Sequence, residues 1–103
     1  MAKFLYSYHG GKRPESKAEG ERVMAAWGAW MGGLGAAMTD PGGPSGPSRT
    51  VSEAGVADNG GANPVSGYSI VEADGLAAAT EMAGGCPILA DGGSVEVTEI
   101  ISM

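Results

Sequence analysis

The sequence predicts one small α+β domain, an antiparallel sheet with two helices packed on one face. Three observations carry that expectation. An aromatic-rich strand opens the chain and an amphipathic helix follows it. The strand-then-helix order returns in the second half, and an alternating strand closes the chain. At 103 residues the chain has room for a single domain, residues 1–103, and a single core.

Lys3-Phe4-Leu5-Tyr6-Ser7-Tyr8-His9 reads as a strand, with Phe4, Tyr6 and Tyr8 on one face and Leu5, Ser7 and His9 on the other. Gly10-Gly11 ends it. Ser16-Lys17-Ala18-Glu19 has the form of a capping box, the Ser16 hydroxyl accepting from the third helical N–H and Glu19 reaching back. Val23, Ala26, Trp27, Trp30, Met31 and Leu34 then recur at helical spacing and give one broad apolar stripe, with Gly32-Gly33 ending or loosening the helix. Residues 36–40 suggest a short second strand stopped by Pro41-Gly42-Gly43-Pro44. Residues 41–65 are punctuated by Gly, Pro, Ser and Asn and read as a long flexible loop carrying a short strand near Arg49-Thr50-Val51.

Gly67 to Ala73 is the clearest strand after the first. Asp74 suits the N-cap of a shorter helix in which Leu76, Ala79, Thr80 and Ala83 share a face, and Gly84-Gly85 with Pro87 ends it. Ser94 to Ile101 alternates Val with Glu at the period of a strand. The resulting order, βαββαβ, is the ferredoxin-like arrangement. Helices cover one face of such a sheet. Two strands carry apolar groups on both faces, Leu5 opposite Phe4/Tyr6/Tyr8 and Val71/Ala73 opposite Tyr68/Ile70. A second subunit's sheet is the simplest cover for the other face, which predicts a homodimer. Tyr6 and Tyr8 are expected either at that interface or with a hydroxyl in a pocket.

Composition points the same way. Leu, Ile, Val and Phe number 16 against 19 Gly and 16 Ala, a share that borders on disordered chains; the periodicity is what argues for folding, and a thin core is commonly completed by oligomerisation. All six basic residues lie in positions 1–49, whereas residues 50–103 hold eight acids and no base. Such a chain repels phosphate backbones, so no nucleic-acid partner is expected. No apolar stretch reaches a membrane span and no signal-type leader is evident, so a cytoplasmic protein without membrane association is expected. The single Cys86 excludes an internal disulfide and fits a reducing compartment.

Gly67 to Asp74, then Ala77 to Ala83 with Met82, Gly85-Cys86-Pro87-Ile88-Leu89 and Gly92-Gly93-Ser94-Val95-Glu96-Val97 together resemble the YCII-related (DGPF) domain family. The opening strand and the helix bearing Trp27 and Trp30 fit the same type. The resemblance implies a dimeric α+β barrel built of ferredoxin-like subunits with a cleft between sheet and helices. Some relatives are proposed to use a His–Asp pair whose His lies on the first helix. Residues 16–34 here hold no histidine, so no dyad is carried over.

Three functions follow as expectations. The first is a small dimeric binding or accessory protein whose ligand, a small molecule, sits in a cleft by the first helix. Trp27 and Trp30 would line it, unless they are simply core. The second is a cofactor-independent lyase or isomerase with His9 as general base, Asp40 as its orienter and Arg49 as an anion clamp. The third is an interaction domain without a ligand. The enzyme requires His9 and a carboxylate to converge in one concavity; the binding protein requires a cavity lined by Trp27 or Trp30. Cys86 just past a helix C-terminus is a poor nucleophile. No metal site and no cofactor is expected, since ligand spacings and glycine fingerprints are both missing.

Overall fold

The computed structural model describes residues 1–102. Strands β1 (Ala2–His9), β2 (Met38–Pro44), β5 (Val65–Ala73) and β6 (Ser94–Glu99) form one sheet in the order β2-β5-β1-β6, every neighbouring pair antiparallel. Helices α1 (Lys17–Leu34) and α2 (Leu76–Ala83) pack on one face of it. Strands β3 (Thr50–Ser52) and β4 (Gly55–Ala57) pair only with each other, as a hairpin arm between β2 and β5.

Strand β1 sits inside the sheet, its Phe4 opposite Val71, Tyr6 opposite Ser69 and Val97, and Tyr8 opposite Gly67 and Val95. Alternation places Phe4, Tyr6 and Tyr8 under the helices, where they are buried together with Val71, Ala73, Ala79, Ala83, Cys86 and Ile88. Tyr6 and Tyr8 are therefore core residues beneath the helices. They do not face a second subunit. The opposite face carries Leu5, Ser7 and His9 of β1, Tyr68 and Ile70 of β5, and Glu96 of β6.

Helix α1 starts as expected at Ser16, whose hydroxyl accepts from the Glu19 N–H at 3.1 Å; Glu19 reaches back to the Glu15 N–H at 3.4 Å, one residue beyond the Ser16 N–H that a full capping box would use. Gly32-Gly33 does not end it. The helix runs to Leu34 and stops at Gly35, which takes a φ of 57° that side-chain-bearing residues avoid. None of its residues is fully buried, and Ala26 is exposed. Helix α2 is capped by Gly75 without a side-chain bond, not by Asp74; Ala79 and Ala83 are buried, while Leu76 and Thr80 are exposed.

Strand β2 is the main departure from expectation. It begins at Met38, after a 3-10 turn over Gly35–Ala37, and continues through Pro41-Gly42-Gly43-Pro44 instead of stopping there. Its pairing with β5 is irregular, Met38 opposite Val71, Asp40 opposite Ile70 and Gly43 opposite Tyr68, so the register shifts once across Thr39 and once across Pro41-Gly42, while Pro44 pairs with Gly67. Residues 41–65 thus hold half of β2 and the hairpin arm, β3 falling one residue past the expected start. The last strand ends at Glu99, short of Ile101.

Gly42 shows why this segment is glycine-rich. Its φ is +61°, and a Cβ there would stand 2.0 Å from the Tyr68 carbonyl oxygen; at Gly43 the same position is empty. Gly42→Ala is expected to lower unfolding stability by about 2 kcal/mol or more and Gly43→Ala by no more than about 0.5 kcal/mol, as read from urea denaturation.

Candidate functional site

The helices meet the sheet unevenly, and a cleft of about 440 Å³ opens between α1 and β2. Val23, Trp27 and Met31, spaced four residues apart, line it from the helix; Tyr8 of β1 and Ile88 contribute further apolar surface. The facing wall is Pro41-Gly42-Gly43-Pro44 with Gly67 and Tyr68. Three glycines keep it open. At Gly28 and Gly43 a Cβ would meet nothing within 4 Å, and at Gly67 one would lie 2.8 Å from the Gly43 carbonyl oxygen.

Aromatic contacts hold the floor and the helix wall. The Tyr8 and Trp27 rings meet edge to face at 5.0 Å, and Trp27 meets Trp30 the same way at 5.8 Å. Trp30 stacks near Tyr6 at 6.1 Å and donates its indole N–H to the Met82 carbonyl at 3.1 Å, which binds α1 to α2. Trp27 lines the cleft. Trp30 lines a second, shallower groove with Arg22, Gly85 and Asp91.

The Tyr8 hydroxyl donates to Ser69 Oγ at 2.8 Å, and Ser69 Oγ donates in turn to the Pro41 carbonyl at 2.8 Å. This relay runs from the floor of the cleft to its far wall. Burial pushes the Tyr8 phenol up to about 12, against a smaller lowering by the Ser69 bond, and burial raises Tyr6 to about 12 as well. Ser66, the extra residue of the β5 bulge opposite Tyr8 and His9, also lines the cleft; its hydroxyl is closed to water and has no partner among the described residues.

His9 is buried on the other face of the sheet. Its Nδ1 lies 3.2 Å from the Pro64 carbonyl and its Nε2 3.0 Å from Glu96 Oε1. Both neighbours are acceptors, so both bonds form only when both ring nitrogens carry protons. The carboxylate beside His9 is Glu96. Asp40 is engaged elsewhere: Oδ1 accepts from the Gly42 N–H at 2.9 Å and Oδ2 from the Tyr68 hydroxyl at 3.3 Å, which steadies the glycine turn of β2. Arg49 pairs with Asp58 at 2.9 Å across the exposed base of the hairpin arm and lines neither groove. The sequence candidates therefore separate. Trp27 stands at the cleft, Trp30 in the helix–helix contact, His9 with Glu96, Asp40 with Tyr68, and Arg49 on the arm.

Cys86 is buried, and burial raises its thiol above the usual range, partly offset by a bond with the Ile88 backbone. Among the described residues no group of three or more His, Cys, Asp or Glu side chains stands close enough to hold a metal ion, and no helix is long and apolar enough to cross a membrane. Residues missed by sequence reasoning are Glu96, Ser69 and the glycines of the cleft. The Val–Glu alternation of β6 did put Glu96 opposite Val95 and Val97, but pairing it with His9 requires the register.

Compared with protein-family models, with curated proteins and with solved structures, the chain matches none.

A phenol held near 12 in the folded chain and near 10 when unfolded favours folding fully below pH 10, and that contribution is lost as pH rises from 10 to 12. Ultraviolet titration is expected to show two of the three tyrosines ionising only near pH 12, together with loss of the folded circular-dichroism signal. Ionisation of all three near pH 10 in the folded protein would contradict this burial.

Proposed function

We propose that the chain is one subunit of a small homodimeric protein, ferredoxin-like in topology and akin to the YCII-related family, that binds a small molecule in the cleft between α1 and β2. The observation that carries this reading is the cleft itself, about 440 Å³, walled by Trp27, Tyr8 and Met31 on one side and by the glycine- and proline-rich strand β2 on the other. That volume lies in the range of ligand sites, roughly 300–1,000 Å³, and concave apolar walls are their usual lining.

The order β2-β5-β1-β6, with α1 and α2 each linking two strands of the sheet, supports the ferredoxin-like topology. The dimer is supported by the sheet face away from the helices, where Leu5 lies opposite Ile70 and Tyr68 remains 44% exposed. A lyase or isomerase acting through His9 has less support, because His9 does not line the cleft and Asp40 and Arg49 do not reach it.

Two measurements test the reading independently. Light scattering at micromolar concentration should give twice the 10.2 kDa chain mass, and a monomer would overturn the dimer. In a thermal-shift screen of chemically varied small molecules, some should raise the melting temperature of the wild type but not that of Gly28→Leu, which fills the cleft from α1. Gly43→Leu, filling it from β2, is the second blocking variant. A screen with no compound that separates the wild type from both variants would overturn the binding site.

A further inference from the structure

The walls of the α1/β2 cleft carry no Lys, Arg, Asp, Glu or His side chain among the described residues. Its ionisable groups are tyrosines, and Tyr8 keeps its proton through the neutral range. A charged group entering between Trp27 and the Pro41–Pro44 strand would give up its hydration and find no counter-ion. The net charge of −6 draws cations toward the molecule, but such a field acts in screened solvent and does not replace a partner inside the cleft. Aromatic faces sometimes supply that partner. Here Tyr8 and Trp27 meet edge to face at 88°, so one ring's face is already occupied by the other's edge.

The shape is as selective as the charge. Gly28 and Gly43 leave empty the positions where side chains would project, and Gly67 brings β5 backbone against the Gly43 carbonyl. What remains is a slot with aromatic and methionine surface from α1 on one side and bare backbone with two proline rings on the other. A flat molecule fills such a slot with contact on both faces, whereas a branched or globular one needs the helix to move away.

We propose that the cleft selects an uncharged, planar, largely apolar molecule that lies between Trp27 and the Pro41–Pro44 strand. This rests on the cleft being a binding site and adds the class of its ligand. The probes are three molecules sharing one ring system: 2-naphthol, 2-naphthoate and 2-naphthylmethylammonium, each titrated at neutral pH into the full chain. The indole N–H signals report where they bind, assigned by Trp30→Phe. The neutral probe should bind at least about tenfold more tightly than either charged one and shift the Trp27 signal, and Gly28→Leu and Gly43→Leu should abolish that shift. Equal or tighter binding of a charged probe, blocked by the same two variants, would overturn the inference and leave the site standing. Failure of 2-naphthol to bind while the broader screen yields blockable ligands would do likewise. Failure of every compound in both experiments would remove the site itself.

Discussion

Three rings at alternate positions of β1 organise the molecule. Phe4, Tyr6 and Tyr8 fill the space between sheet and helices because the helices bring little to fill it: α2 buries only Ala79 and Ala83, and α1 buries nothing completely. Each tyrosine also spends its hydroxyl on a different element. Tyr6 donates to the Ala79 carbonyl of α2, and Tyr8 donates through Ser69 to Pro41 of β2. The same rings receive Trp30 and Trp27 of α1. A chain poor in large aliphatic side chains thereby gains both apolar area and directional bonds from one strand.

The cleft follows from the same economy of side chains. Helix α1 touches the sheet mainly through its two tryptophans, with glycine between them at position 28, and the strand beneath it is glycine and proline. Space remains because there is nothing to occupy it, while the Tyr8–Ser69–Pro41 relay keeps the far wall at a fixed distance from the floor. Helix α1 consequently has an unusual position among the elements, being long and well capped yet held largely by ring contacts and one indole hydrogen bond.

Much of the framework is legible in the chain because aromatic, β-branched and amphipathic patterns mark it. Lys3–His9, the helix to Leu34 and the strand ending at Ala73 carry such patterns, and the structure has elements at each. Strand β2 was harder to read. Pro41-Gly42-Gly43-Pro44 has the local character of a turn, and pairing with β5, the bond from Ser69 and the bonds to the Asp40 carboxylate hold it extended. Asp74 is a good cap by type, yet the extended residue at the helix start is Gly75. The cleft was least legible, since it is defined by side chains that are missing from three segments distant in sequence. The His9 partner is hidden for the same reason: Glu96 lies 87 positions away, and Asp40 is nearer along the chain.

The two prolines of β2 have a consequence beyond the cleft. β2 and β6 are the outermost strands of the sheet. Pro41 and Pro44 have no N–H to offer an incoming strand, and the bulges on either side of Asp40 break the flat repeat that such a strand would need. At the opposite border, β6 ends on the exposed Glu99, whose charge repels a copy of itself. Unpaired sheet borders are where molecules join strand to strand into fibres. Here each border is guarded by a different chemistry, which leaves the broad face of the sheet as the safer place for two molecules to meet.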